Sequence, residues 1–285
     1  PGRQARGAAG SSPRSEEAVR AAAPLAFACA LAWSPTAAAQ AGPAAPDWAF
    51  GTPGGEVVVA AVCTASLGAY LLPQRRSTWG AASSEERNET IGLVSDITGA
   101  AVGTMLVLGS GYALEGGYLA GAGVRRPFSR ALRTSLIEVE AAALSTGLSS
   151  VIKRLSGRCR PRSWRTDRCG DTDLDFDAFP SGHTTPVAAI AGARLNLALR
   201  TTGDAAPRLG ALAIAEAATV VTMALRIGSG AHSWQDVGAG MILGHVTGFA
   251  IAAIHPIAPS EAPYAAGALP EPTPEPAAFT WSWTF

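Results

Sequence analysis

Residues 180–199 read PSGHTTPVAAIAGARLNLAL, and this stretch decides the kind of fold that the chain can adopt. Small, turn-forming residues come first. The apolar run that follows has the length of a helix and lacks the polar–apolar alternation of a strand. Pro186 is compatible with the first turn of a helix, where a proline loses no hydrogen bond. The stretch therefore predicts a tight turn that leads directly into a helix.

Five other apolar segments have the same character, and clusters of Gly or Pro separate them; they are residues 57–72, 97–114, 132–152, 209–225 and 237–254. None of them shows a sustained strand pattern. The short turn at 200–207 joins two of these helices, which are therefore expected to be antiparallel neighbours. The sequence predicts an all-α fold, a helical bundle of about six core helices.

The chain has 285 residues and a formal net charge of zero, with 22 basic and 22 acidic residues. This balance gives no general reason to bind nucleic acid. Charge is uneven locally, because residues 153–168 contain seven Lys or Arg against one acid, Asp167. Such a cluster in a neutral protein suggests a small anion as ligand. The alternative is a solvated loop that is neutralised by the aspartates at 171, 173, 175 and 177.

The two ends of the chain differ from the helical part. Residues 1–41 run from basic to apolar to small and contain an A-x-A site at 39–41, which predicts a secretory signal peptide with an N-terminal extension. A disordered, Ala-rich tail is the alternative. We expect a linker at 42–55, a helical domain at 56–256 and a Pro/Ala-rich tail at 257–285.

Export bears on two further expectations. Cys159 and Cys169 bracket the basic loop, and an oxidising compartment would let them form a disulfide, although two free thiols are the alternative.

Segments 57–72, 97–114 and 237–254 could cross a membrane, whereas charges such as Glu138 and Arg194 interrupt the other apolar segments. Six spans would obey the positive-inside rule, but a cleaved signal peptide would invert them. We favour a soluble exported bundle over an integral inner-membrane protein, and in both favoured arrangements the site faces the periplasmic side.

A first motif, KRLSGRCRP at 153–161, places Lys153 and Arg160-Pro161 at the spacing K-x6-R-P. Fixed cations stabilise the negative charge that a phosphoryl group spreads over its oxygens. Arg160 offers a planar fork for two oxygens, and Lys153 offers a point charge. A basic helix end that only neutralises the helix dipole is the alternative for this motif alone.

A second motif, PSGH at 180–183, precedes the helical run. Ser181 can cap the helix or donate to an oxygen, and Gly182 lets its backbone N–H approach an anion closely. His183 would then lie at the mouth of the helix, where it could protonate a leaving alkoxide. A capped helix start with an incidental histidine is the alternative.

A third motif, RIGSGAHSWQD at 226–236, contains Arg226, His232 and Asp236 at the spacing R-x5-H-x3-D. Positions four apart suit contact along one helical turn, so we expect Asp236 to hold one imidazole nitrogen of His232 and to leave the other free as a nucleophile. A surface salt bridge with a helix cap is the alternative.

In this order and with these spacings, the three motifs resemble the signature of the type 2 phosphatidic acid phosphatase (PAP2) superfamily, K-x6-R-P, P-S-G-H and S-R-x5-H-x3-D. That group includes bacterial acid phosphatases, membrane lipid phosphatases and vanadium haloperoxidases. The resemblance covers roughly residues 90–255, and Leu225 stands where the third motif normally has Ser. It implies a helical bundle that requires no metal or other cofactor.

The resemblance also implies a role for each motif residue. His232 attacks phosphorus and becomes a phosphohistidine, Asp236 orients it, and His183 protonates the leaving alcohol and then activates water. The phosphate oxygens are held by Lys153, Arg160, Ser181, the Gly182 amide and Arg226.

The expected function is thus that of an exported phosphatase. Its substrate is a lipid phosphate, such as phosphatidate or a polyprenyl diphosphate, or a small soluble phosphoester. Two alternatives stay open: a haloperoxidase that holds vanadate in the same cationic pocket, and a non-catalytic binding protein on the same scaffold.

Overall fold

The computed structural model describes residues 72–77, 79–80, 88–97, 100–124, 127–170, 172–201 and 205–255, together with residues 61 and 68. Its helices are α1 Glu89–Ile97, α2 Ala100–Gly121, α3 Pro127–Ser156, α4 Pro161–Arg165, α5 Thr184–Leu199, α6 Ala206–Gly228 and α7 Trp234–Ile254, and a 3₁₀ turn spans Asp173–Phe176. These residues form no strand, only one isolated bridge between Gly80 and Cys159. The predicted all-α fold is confirmed.

The sequence located the long helices better than the short ones. α5 has the predicted bounds, and α2, α3, α6 and α7 match predicted segments with shifted ends. α1 was not predicted, because it is short and carries polar residues; the Asn88 side chain accepts from Ile91 N (3.0 Å) and caps it. The predicted signal peptide, linker and C-terminal tail lie outside the described residues, as does nearly all of 57–72.

α5 and α6 are antiparallel neighbours, as predicted. Arg194 donates to the carbonyl oxygen of Ala211 (2.7 Å), and Arg208 donates to that of Leu197 (3.3 Å). Residue numbers therefore rise along one helix as they fall along the other. The turn at 200–207 is too short for any other arrangement.

α7 packs along α5 in the parallel direction through a stripe of glycines. A Cβ added at Gly240 would lie 2.9 Å from the carbonyl oxygen of Ser181, and one at Gly244 would overlap that of Thr185. Gly248, one turn further, would meet Ala189 in the same way. Small residues four apart let two helix backbones approach closely, as in membrane helix pairs. The stripe therefore holds the N-terminus of α7 against the turn that begins α5.

These directions bring four helix ends together. α3 runs antiparallel to α5, because Glu138 meets Arg194 near one end while Lys153 reaches Gly182 at the other. The C-termini of α3 and α6 therefore lie beside the N-termini of α5 and α7. Helix N-termini attract anions and C-termini attract cations, so this end of the bundle suits a negatively charged ligand bound by basic side chains.

Charged side chains lie inside the bundle, away from that end. The ion pairs are Arg194–Glu138 (2.8 Å), Arg208–Glu115 (3.2 Å) and His255–Glu140 (3.0 Å). Arg194 also donates to two backbone carbonyl oxygens, so its guanidinium is well satisfied in its buried position. In a soluble bundle, such charges would mark the solvated helix face. They instead face the core and leave the outer faces apolar.

The outer faces of the long helices are exposed and apolar. Large exposed side chains there include Met105 and Leu106 on α2, Val220 and Val221 on α6, and Ile242, Val246 and Phe249 on α7. By length and composition, three of the described helices (α3, α6 and α7) could cross a membrane. Exposed apolar area of this extent is unusual for a soluble monomer.

Candidate active site

The three sequence motifs meet at the end of the bundle where α5 and α7 begin. Backbone hydrogen bonds join each pair of motif regions: Ala178 N to Arg158 O (3.1 Å), Ser181 N to Asp236 O (2.9 Å) and Arg162 N to Gly230 O (3.0 Å). Residues that are far apart along the chain therefore surround one small space. The juxtaposition that the motif pattern requires is present.

Lys153 reaches this space from the last turn of α3. Its Nζ lies 2.8 Å from the point that a Cβ on Gly182 would occupy. Gly182 therefore makes room for the ammonium group, beyond any role of its own N–H. The ammonium group thus borders the turn that begins α5, where it can donate to an oxyanion.

His232 has the hydrogen bonding expected of a nucleophile. Its Nδ1 lies 2.8 Å from the carbonyl oxygen of Ala178, which can only accept, so Nδ1 carries the proton. The lone pair of the neutral ring is therefore on Nε2. Burial, followed by the nearby charges of Arg160 and Arg226, holds the pKa of His232 well below its usual value. The ring is thus neutral at physiological pH, as nucleophilic attack requires.

Asp236 does not hold His232 as the sequence predicted. Its Oδ2 is 3.9 Å from His232 Nδ1, too far for a hydrogen bond. The carboxylate instead accepts from Arg158 (2.9 Å) and from the backbone N–H of Ser233 (2.7 Å). The four-residue spacing was interpreted as a turn of helix, but α7 begins at Trp234 with Ser233 as its cap. His232 therefore precedes the helix, and Asp236 completes a capping box.

Arg226 projects from the last turn of α6, and two residues of α1 anchor its guanidinium. Its Nη1 donates to Ser95 Oγ (2.8 Å) and to Asp96 Oδ1 (3.2 Å), both on α1. Its Nε is buried and has no hydrogen-bond partner among the described residues. Because only Nη1 is anchored, the Nε edge of the guanidinium can donate hydrogen bonds to a ligand. An oxyanion bound along that edge would satisfy it.

Arg160 stands at the N-cap of α4, followed by Pro161 at the first helical position. Its Nε donates to the carbonyl oxygen of Leu174 (2.8 Å), and its backbone N–H donates to that of Asp175 (2.7 Å). Burial and the neighbouring charge of Arg162 lower the pKa of Arg160 to about 10. The guanidinium therefore stays charged, and its orientation is set by the loop.

His183 and Ser181 lie at the N-terminus of α5. His183 is the N-cap residue, and burial, followed by the charges of Arg226, Lys153 and Arg160, lowers the pKa of His183 to about 3. Ser181 is fully buried, and its Oγ accepts from Thr184 Oγ1 (3.1 Å). The histidine is thus neutral while the pocket holds only cations, and a bound anion would favour its protonation.

The loop that carries Arg160 is held from two sides. A disulfide joins Cys159 and Cys169. Residues 72–77 and 79–80 lie along the other side, where Ser77 N donates to Gly157 O (3.1 Å) and Trp79 Nε1 donates to Ser156 O (3.1 Å). Gly157 has φ +57°, and a Cβ there would overlap the carbonyl oxygen of Arg75. The basic loop is therefore not a freely solvated one.

Sequence reasoning missed several side chains that support the site. Arg158 was noted only as part of the basic cluster, yet it is 3% exposed, pairs with Asp236 and lies over the Trp79 ring, 4.6 Å from its centroid. Ser95 and Asp96 lie in a helix that the apolar pattern did not reveal. The K-x6-R-P spacing gave no reason to single out a residue between its ends.

Within the described part of the chain, no group of three or more His, Cys, Asp or Glu side chains is placed to hold a metal ion. The remaining histidines lie elsewhere. His245 pairs with Glu216 (2.9 Å) between α6 and α7, and His255 pairs with Glu140.

Residues 135–259 match the family model described as the PAP2 superfamily. Searches of curated proteins and of solved structures give no significant match. The matched segment contains all three motifs and the ends of the four helices that carry them. Membership of this family suggests phosphatase-type activity, that is, phosphoric ester hydrolysis in the broad sense.

Proposed function

Because the chain, through residues 135–259, belongs to the PAP2 superfamily, we propose that it hydrolyses a phosphate ester through a phosphohistidine on His232. One observation carries the proposal. Cationic and donor groups from three distant motifs surround one buried space, and the Nε of Arg226 there has no hydrogen-bond partner among the described residues. Several cations gathered in a buried space are costly unless anions balance them. A phosphoryl group would supply the missing charge.

In the first step, His232 Nε2 attacks phosphorus and the bond from phosphorus to the leaving oxygen breaks. His183 donates a proton to that oxygen, so an alcohol leaves rather than an alkoxide. The guanidinium groups of Arg160 and Arg226 and the Lys153 ammonium stabilise the equatorial oxygens. The bound dianion offsets the same cations that depress the pKa of His183, so substrate binding itself favours the protonated acid.

In the second step, His183, now neutral, removes a proton from a water molecule. The resulting hydroxide attacks phosphorus and the bond from phosphorus to His232 Nε2 breaks. Inorganic phosphate leaves, and His183 keeps the proton needed for the next turnover. The hydrogen bond from Nδ1 to Ala178 O holds the His232 ring in one orientation through both steps (2.8 Å).

The apolar outer faces favour a membrane-embedded bundle and a lipid phosphate as the substrate, in place of the soluble arrangement favoured from the sequence. Trp79, Trp164 and Trp234 are all exposed and all lie at the end that carries the site. Exposed tryptophans are typical of the boundary between lipid and water. A lipid headgroup at that boundary would reach the cations while its chains stay in the bilayer. Six membrane spans that obey the positive-inside rule would place this end on the periplasmic side.

The test is hydrolysis of phosphatidate in mixed micelles and of a small aryl phosphate by the purified full chain. We expect His232→Ala to abolish both activities and His183→Ala to lower them by about a thousandfold, within the usual range for loss of a general acid–base group. His245→Gln is the matched control, because that histidine lies outside the site, and it should retain activity.

Acid-quenched enzyme should carry a phosphate on His232, detectable by mass spectrometry. Undiminished hydrolysis by the His232→Ala protein would exclude the proposed nucleophile. Activity on the aryl ester alone would argue against a lipid substrate but not against phosphatase activity.

A further inference from the structure

Ser149, on α3, has a buried hydroxyl group that no motif accounts for. The residue is 1% exposed, and its Oγ has no hydrogen-bond partner among the described residues. A serine inside a helix usually donates to the carbonyl oxygen of a preceding turn, so an unpaired hydroxyl at such a position is unexpected. Leaving it unpaired costs free energy unless a ligand completes it.

The position of this hydroxyl points to the ligand. Ser149 and Lys153 are four residues apart on α3 and so lie on the same helix face. Ser149 Oγ lies 3.9 Å from the point that a Cβ on Gly182 would occupy, the same point that Lys153 Nζ approaches to 2.8 Å. The hydroxyl therefore borders the space over Gly182, beside the Lys153 ammonium group.

Neighbouring hydroxyl groups on α3 behave differently. Ser145 is fully buried, and its Oγ donates to the carbonyl oxygen of Ala142 (3.0 Å). Thr146 donates to the same oxygen (2.7 Å). Back-bonding of this kind is thus available along this helix, and Ser149 is the hydroxyl that stays unpaired where the helix reaches the site.

We propose that the Ser149 hydroxyl donates a hydrogen bond to a phosphoryl oxygen of the substrate, beside Lys153. This inference rests on the proposed function and adds a hydroxyl donor on α3 to the groups that hold the phosphoryl oxygens. A hydrogen bond from a neutral donor to a charged oxyanion contributes to binding of ground state and transition state alike. The residue would therefore affect affinity for the phosphoryl group more than its rate of transfer.

The experiment compares Ser149→Ala with Ser145→Ala in the full chain, using inorganic vanadate as a competitive inhibitor and inorganic phosphate as a ligand in calorimetry. We expect Ser149→Ala to weaken vanadate inhibition and phosphate binding by about tenfold each, which is the effect of one hydrogen bond to a charged group. Its unfolding midpoint should not fall, because the wild-type hydroxyl has no hydrogen-bond partner in the part of the chain that the structure describes. Ser145→Ala should show the reverse, a lower unfolding midpoint with unchanged vanadate inhibition.

Ser149→Thr keeps a hydroxyl and should retain most of the vanadate affinity, which separates loss of the donor from disturbed packing. Unchanged vanadate and phosphate binding by a folded Ser149→Ala protein would overturn this inference while leaving the proposed function intact. Failure of the wild-type protein to bind either anion would overturn the proposed function and this inference with it.

Discussion

Arg158 holds the third motif in place through contacts with two of its residues. Its guanidinium bonds to Asp236 (2.9 Å) and Gln235 (2.6 Å), and it lies over the Trp79 ring. Asp236 in turn caps α7 through Ser233. Arg158 thus acts on His232 indirectly, by fixing the start of the helix that follows it.

Replacing Arg158 with Gln leaves the Asp236 carboxylate buried without its cation. We expect the free energy of unfolding to fall by about 3 kcal/mol, the usual cost of breaking a buried ion pair. In chemical unfolding experiments, the double variant Arg158→Gln with Asp236→Asn should lose clearly less than the sum of the single changes. Additive losses would mean that the two side chains do not interact.

The two site histidines also make stability depend on pH. Their imidazoles are kept neutral in the folded protein, whereas an unfolded histidine binds a proton below about pH 6.5. The unfolded state therefore holds more protons between that pH and about 3, the pKa of His183, so stability is lost as the pH falls through this window.

We expect the unfolding midpoint of the wild-type protein to decrease as the pH is lowered from 7.5 to 4.5. Inorganic phosphate should make this decrease smaller, because a bound anion favours the charged imidazole. His183→Gln should show a shallower pH dependence. An equal slope in both proteins would mean that His183 is not held neutral.

At the level of helices, the glycine stripe of α7 sets how closely α7 approaches α5. Gly244 and Gly248 face α5 backbone, and Gly240 faces the backbone of Ser181 just before α5. Gly192 on α5 faces the backbone of His245 in return. The distance between the two helix axes therefore depends on the absence of side chains. The same contact places the backbone of Asp236 beside Ser181 (2.9 Å).

Alanine at Gly240 or Gly248 should lower the free energy of unfolding by about 2 kcal/mol, because a Cβ must displace backbone atoms. Gly240→Ala should also lower kcat, since its methyl group would press on Ser181 at the site (2.9 Å). Gly248→Ala should leave kcat of the folded protein unchanged. Gly238 has open space around its Cα and provides the control for both measurements. Equal kcat values in the two variants would show that the stripe does not position the site.

At the level of the whole molecule, paired charges lie inside the bundle among its apolar core, and large apolar side chains are exposed on its outer faces. Buried arginine–glutamate pairs hold α2, α3, α5 and α6 together, while α6 presents residues such as Val220, which is 62% exposed. A lipid environment would explain both features, because charges must then pair internally and outer side chains need no water.

Val220→Lys distinguishes lipid from water around α6. An exposed valine in water tolerates lysine with little change in stability, whereas a charge facing lipid costs about 3 kcal/mol. We expect the variant to accumulate poorly in the membrane fraction, while the wild-type chain resists a carbonate wash and dissolves in detergent. Leu174→Lys, an exposed position in the loop beside the site, is the control and should accumulate normally. Release of the wild-type chain by osmotic shock would instead favour the soluble arrangement.

The sequence by itself determined the helical class, the position of every long described helix and the three motifs that meet at one end of the bundle, because apolar length and motif spacing are local properties of the chain. The tertiary structure alone decided which groups hold those residues. Arg158, Ser95 and Ala178 act through contacts between segments distant along the chain, and no local pattern encodes such contacts. It also decided which helix faces are buried, since a helix that is apolar all round reveals its inner side only when its neighbours are in place.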